Sequence, residues 1–162
     1  MEKVAKFEKV SYEQWRKDFG GEEFDAVLDE IPMPKRATKG SAGYDICSPY
    51  AIDLEPGEDI TVQTGLKCKI KNGWFMAAFP KSGLGFKYYV RLANTIGVID
   101  EDYFNNENNE GHIYVKIRNE GDKPLHIDTH KGICQVIFLP YGITEDDDAN
   151  GIRKGGIGST NS

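Results

Sequence analysis

Ile60-Thr-Val-Gln-Thr-Gly-Leu-Lys-Cys-Lys-Ile70, then Lys71-Asn72-Gly73, then Trp74-Phe-Met-Ala-Ala-Phe79 is the stretch that decides the fold class. Two β-type runs flank an Asn-Gly pair, the strongest short-range signal for a hairpin turn. The same rhythm continues on both sides. Further β-type runs lie at 51–54, 88–92, 113–118, 125–127 and 134–139, each bounded by turn residues. Strands and helices do not alternate here, which argues against a parallel sheet. Many short antiparallel strands predict an all-β sandwich, jelly roll or small barrel.

Composition narrows the function. A chain of 162 residues, 39% hydrophobic and 28% charged, is long enough for one cored domain with an extension. Its net charge of −6 offers no basic field, so direct nucleic-acid or membrane-surface binding is not expected. A polyanionic ligand would then need local cations or a metal ion. Cys47, Cys68 and Cys134 sit in apolar, strand-like contexts and read as free buried thiols of a reducing compartment. Residues 1–9 hold no apolar signal core, and no run approaches the ~18 apolar residues of a membrane span. A cytoplasmic or otherwise intracellular protein is expected.

Ser11-Tyr-Glu-Gln14 reads as a capping box, and Tyr12, Trp15 and Phe19 follow at helical spacing. The spacing predicts a helix over 11–19 that ends at Gly20-Gly21 and packs on the outside of the domain. Three regions result: an N-terminal helical extension (1–30), a β domain (31–141), and a flexible Gly-rich C-terminal lid (142–162).

The chemistry concentrates in separate stretches. Asn94-Thr-Ile-Gly97-Val98-Ile99-Asp100-Glu101-Asp-Tyr103 joins a strand end, a glycine turn, a carboxylate and a phenol. Such a segment can offer backbone groups to a flat polar ring and hold one carboxylate at its rim. Gly40-Ser-Ala-Gly43-Tyr-Asp45-Ile46 is a turn entering a strand with a carboxylate at the junction. Pro80-Lys81-Ser82-Gly83-Leu84 supplies a hydroxyl and unobstructed N–H groups, which suit phosphate oxygens. In Lys131-Gly132-Ile-Cys134-Gln135-Val136-Ile137 the amide of Gln135 lies between apolar neighbours and needs hydrogen-bond partners. Arg153-Lys-Gly-Gly-Ile157-Gly158-Ser159-Thr160 combines glycines, hydroxyls and an arginine, as a lid over a phosphate chain would.

Taken in chain order, these stretches resemble the motifs of the dUTPases, the trimeric all-β family, over residues 31–160. The resemblance implies a jelly-roll-like β-barrel or sandwich that hydrolyses dUTP to dUMP and pyrophosphate with Mg²⁺. Asp100 would be the general base that activates water, and Asp45 would act near the magnesium through its water shell. Asn94, Gly97, Val98 and Ile99 would read the uracil edge, with Tyr103 against the deoxyribose. Tyr114 would stand on the returning strand of that hairpin. Lys81, Ser82, Gly83 and Gln135 would meet the phosphates. Arg153 would take the γ-phosphate, and Ile157, Gly158, Ser159 and Thr160 would close over the nucleotide. A homotrimer is implied, with sites between subunits and the tail crossing to a neighbour.

Departures from the family pattern accompany these matches. Lys81 stands where the family has arginine and keeps the charge without the planar fork. Ile157 replaces an aromatic and loses stacking worth about 1 kcal/mol. Residues 104–110 form an Asn-rich insertion expected to lengthen the hairpin's polar tip, and His112 is expected on a strand surface. Two alternatives carry different tests. A dCTP deaminase of the same fold would use Glu101 and release ammonia, whereas a regulatory partner of another protein would bind dUTP with little turnover.

Overall fold

Period-two burial sets the strand faces. In the strand Leu66–Ile70, Leu66, Cys68 and Ile70 point inward while Lys69 is exposed. The computed structural model describes residues 1–157. In chain order the elements are β1 (Ala5–Lys9), α1 (Tyr12–Phe19), α2 (Asp25–Glu30), β2 (Tyr44–Cys47), β3 (Ile52–Leu54) and β4 (Asp59–Gln63). They continue as β5 (Leu66–Ile70), β6 (Trp74–Pro80), α3 (Ser82–Tyr88), β7 (Val90–Leu92) and β8 (Gly97–Ile99). The last three are β9 (Tyr114–Asn119), β10 (Leu125–Ile127) and β11 (Gly132–Pro140).

All strand pairs are antiparallel, as the turn-rich sequence predicts. One sheet has the order β2-β11-β6-β8 and a second the order β4-β9-β7, with two-stranded pairs β1-β5 and β10-β3 beside them. Ile46, Val62, Leu66, Met76, Ile117, Ile133 and Val136 fill the shared core. Among the described residues no helix is long and apolar enough to cross a membrane. The three cysteines are unbridged, and burial pushes the Cys68 and Cys134 thiols up to about 12.

Several local expectations change. The Asn72-Gly73 turn closes, with Trp74 N–H donating to Lys71 O at 3.1 Å, but its flanking strands do not pair with each other. Strand β1 takes the edge of β5 over Ala5–Lys9, and β6 pairs with β11 and β8 instead. The long run at 60–70 breaks at Gly65, whose φ of +71° turns the chain between sheets. The run at 88–92 starts late, because α3 occupies Ser82–Tyr88 and ends at Tyr89 in the left-handed region.

The N-terminal helix also differs from its expected role. Trp15 is 0% exposed, stacks on Phe19 with ring centroids 4.2 Å apart, and donates from Nε1 to Phe24 O. The helix is therefore part of the core and not an outer decoration. Only half of the capping box forms: the Ser11 hydroxyl accepts from Gln14 N–H, while Gln14's own amide turns to Asp18. Glu110, from the Asn-rich insertion, accepts the Ser11 N–H and hydroxyl in its place. Truncating Trp15 to Ala should lower the unfolding free energy by about 3–5 kcal/mol, read from denaturant titration. A loss below about 1 kcal/mol would mean that the helix is peripheral.

Candidate active site

Strand β8 is short, and the ladder Met76–Ile99, Ala77–Val98, Ala78–Gly97 ties it to β6. Strand β7, just before it in the chain, belongs to the other sheet, through β9. The segment 93–96 thus carries the chain from one sheet to the other, and a cleft opens at the crossing. The cleft holds about 570 Å³ and is lined mainly by apolar side chains, including Ala78, Leu92, Ile99 and Val136. Asn94, Gly97, Val98, Asp100, Tyr103, Tyr114, Arg153 and Ile157 also border it. That volume lies within the range of small-ligand sites. The expected hairpin is a wedge between two sheets, with the backbone of 97–99 on one wall.

Asp100 leaves β8 at the rim with its side chain half exposed. Arg153, from the tail of the same chain, donates to Asp100 Oδ2 and to Asp102 Oδ1, each at 2.6 Å. Gly156 follows, and a Cβ there would lie 2.5 Å from the Tyr103 ring, so a larger residue could not let the tail lie this close. Ile157 stays largely exposed at the mouth. Gly158, Ser159 and Thr160 fall outside the described residues.

Tyr103 is buried and does not offer a free hydroxyl. Its O–H donates to His112 O at 2.8 Å and accepts from Asn109 Nδ2 at 2.7 Å, leaving the ring to face the cleft. Burial pushes its phenol above the ordinary value, against the pull of Asn109 and Arg153. The insertion expected to form a loose polar tip is a knot. Asn106 bonds to Tyr103 O, Asn108 N, Asn109 N and Asn109 Oδ1, and Asn109 Oδ1 also accepts from Gly111 N.

His112 is fully buried, correcting its expected place on a strand surface. Its Nε2 accepts from Gly65 N–H at 2.8 Å, so the ring proton sits on Nδ1 and donates to Asp18 Oδ2 at 2.7 Å. Burial lowers the imidazole below its ordinary value of 6.5 despite the opposing pull of Asp18 and Glu110. Burial alone would raise the Asp18 carboxyl, but hydrogen bonds from Gln14, His112 and Tyr114 outweigh it and hold it low.

A second cluster forms where β2, β11 and β6 meet. Asp45 faces Gln135 in the β2–β11 register, and Gln135 faces Phe79 across β11–β6. Lys81 Nζ pairs with Asp45 Oδ2 at 2.6 Å. Gly132 makes room for that lysine, since a Cβ there would lie 2.7 Å from Nζ. Gln135 Nε2 reaches Pro80 O only at 3.4 Å, which leaves its amide weakly engaged. Ser82 and Gly83 open α3, where first-turn N–H groups have no intrahelical acceptor. None of Asp45, Lys81, Ser82, Gly83 or Gln135 borders the cleft, so one chain presents the candidate residues as two groups. Glu101 does not border the cleft; its Oε1 accepts from Asn72 Nδ2 at 2.7 Å.

A cleft of about 570 Å³ has a carboxylate on its rim, and a cation and amide cluster lies on neighbouring strands of the same all-β fold. The dUTPase family model matches residues 29–161. The deoxyuridine 5'-triphosphate nucleotidohydrolase of Lactococcus lactis is 37% identical over 132 residues, covering 80% of this chain and 88% of that protein. The Escherichia coli protein of the same name is 36% identical over 140 residues, 82% of this chain and 89% of its own. The crystal structure of dUTPase from Streptococcus mutans superposes with a TM-score of 0.68 at 31% identity, covering 86% of this chain and 98% of that one. A dUTPase of Staphylococcus aureus phage phi11, described with a structural Mg(II) ion, shares the fold at 18% identity and a TM-score of 0.65. The chain belongs to the dUTPase family, and its enzyme class is dUTP diphosphatase.

Sequence reasoning passed over Asp18, Asn109 and Asp102. The periodic Asn spacing at 105–109 was the visible signal for a self-bonded loop, while Asp18 gave none beyond its place one helical turn after Gln14.

The buried, neutral His112 makes stability depend on pH in a stated direction. Because its folded value lies below 6.5, the contribution is complete above the unfolded value and is lost as pH falls from there towards the folded one. The melting temperature of wild type should exceed that of His112→Asn by a margin that narrows from about pH 7.5 to about pH 5. A constant margin would mean that His112 does not titrate between folded and unfolded states.

Proposed function

We propose that the chain hydrolyses dUTP to dUMP and pyrophosphate, with Asp100 taking a proton from the water that attacks the α-phosphorus. The observation that carries this reading is the rim position of Asp100, at the mouth of a largely apolar cleft of about 570 Å³. The backbone of 97–99 can present donors and acceptors to the uracil edge. Cytosine exchanges donor for acceptor there, and each mispaired buried group costs about 1–3 kcal/mol. The anchored Tyr103 ring would lie against the deoxyribose and leave no room for a 2′-hydroxyl.

Arg153 holds the free Asp100 as an ion pair. A triphosphate in the site would compete for that guanidinium, and its transfer to phosphate would release the carboxylate as a base. Lys81 would add a point charge, with Ser82, Gly83 and Gln135 as hydrogen-bonding partners for phosphate oxygens.

Magnesium fits the donor set. Among the described residues no three metal-ligating side chains gather, and Mg²⁺ commonly arrives with phosphates, keeps several waters and uses one or two carboxylates. Asp45 and Gln135 would hold its water shell, and the bound ion would neutralise phosphate charge. The split of the candidate residues into two groups supports a homotrimer in which a neighbouring subunit completes each site.

Pyrophosphate release should be selective for dUTP over dCTP, dTTP and UTP. Asp100→Asn should reduce it about 10²–10⁴-fold while leaving nucleotide binding in place, as seen by calorimetry. Ammonia release from dCTP would point to the deaminase instead, and tight dUTP binding with negligible turnover to a regulatory protein.

A further inference from the structure

We propose that the N-terminal helix is a working part of the active site, with Asp18 acting as a positioning residue for the aromatic wall of the nucleotide cleft. This rests on the sugar-exclusion role given to Tyr103 above.

Residues 1–28 precede the region that the dUTPase family model matches. Yet α1 delivers the carboxylate on which the inner wall of the cleft is built. Asp18 receives Gln14 Nε2 at 2.6 Å and His112 Nδ1–H at 2.7 Å. Burial, with the Asp18 carboxylate close by, pushes the Tyr114 phenol up. The Tyr114 ring lines the cleft and packs against the His112 ring, centroids 4.7 Å apart. His112 in turn fixes Tyr103, whose hydroxyl donates to its carbonyl oxygen. Two routes therefore lead from one carboxylate to both phenol rings of the pocket. One passes through the His112 ring, which packs on Tyr114; the other passes through the His112 backbone to Tyr103.

The surroundings make this arrangement stiff. His112 is clamped on its far side by Gly65 N–H, and Trp15 lies beside its ring at 6.1 Å. The groups that face Asp18 are Gln14 on its own helix, His112 before β9, and Tyr114 on β9. Glu110 and Lys67 pair further out and tie the insertion to both Ser11 and β5. Lys17 also donates to Asn108 O, and Asn108 N–H to Lys154 O in the tail. A carboxylate bonded both to its own helix and to the segment before β9 has little freedom to shift, so the His112 ring and the phenols that rest on His112 share that restraint.

Positioning predicts a particular kinetic signature. Asp18→Asn keeps the size of the side chain but removes the charge, and one of its partners must lose an acceptor. The rings then sample a wider range, and the nucleoside end of the substrate loses fit while Asp100 is untouched. In Mg²⁺ and well below the variant's melting temperature, KM for dUTP should rise about tenfold with kcat within about twofold. The preference for dUTP over UTP should fall about tenfold. A purely structural role would lower the melting temperature and leave both the KM and the sugar preference alone. Tyr114→Phe, which removes only the hydroxyl that meets Asp18, gives a second test that does not disturb the helix. It should weaken the sugar preference in the same direction, and its effect should be less than additive with Asp18→Asn.

A folded Asp18→Asn with unchanged KM and unchanged preference overturns the proposal. If that variant does not fold, an unchanged preference in Tyr114→Phe overturns it. A wild-type chain that hydrolyses UTP as readily as dUTP overturns the sugar-exclusion reading and this proposal together. A discriminating wild type separates the two.

Discussion

The three-pair ladder between β8 and β6 determines where the cleft opens. Because β8 pairs with β6 while β7 pairs with β9, the short link 93–96 must span two sheets. The gap beneath that link is the cleft. Asp100 and Tyr103 follow β8 without intervening freedom, so their positions are set by the register of this ladder. Shifting it by one residue would turn Gly97 and Ile99 to the other face. The backbone that borders the cleft would then be replaced by side chains.

An acidic protein that handles a polyanion has to solve a charge problem, and the ion pairs indicate how this one does. Lys81 rests on Asp45, and Arg153 rests on Asp100 and Asp102. Lys81 and both carboxylate partners of Arg153 are partly exposed, while Arg153 itself is largely buried beside them. In the proposed reading a phosphate chain would compete for these locally held cations, and long-range attraction would not be required. The net charge of −6 is thus compatible with a phosphate substrate when positive groups are kept locally on carboxylates.

The strand content and the motif residues were legible because period-two burial and turn chemistry are local properties. Pairing was not. Asn72-Gly73 makes its turn, yet nothing near it in the chain reveals that residues 5–9 claim the edge of β5. Helix α3 stayed hidden because glycines at 83 and 85 dilute its propensity. The capping box misled in an instructive way: Ser11 does cap α1, but the reciprocal acceptor comes from Glu110, ninety-nine positions away. His112 looked like a surface strand residue, since neither Asp18 nor Gly65 is near it in sequence. Long-range polar contacts carry no local signature.

The same asymmetry bears on how an extension becomes part of a site. A helix that merely covered the domain would bury apolar area and stop there, as Trp15 and Phe19 do. This one also commits a charged group to a largely enclosed position, where a carboxylate persists only if its hydrogen bonds offset the loss of water. Gln14 and His112 supply those bonds. Apolar residues of similar size could serve packing alone without that penalty. What the carboxylate adds is direction: it fixes the tautomer of the His112 ring, and the Tyr114 ring that packs on it lines the cleft. A buried polar group kept against that cost is better explained by the geometry it imposes on the pocket than by any net gain in stability.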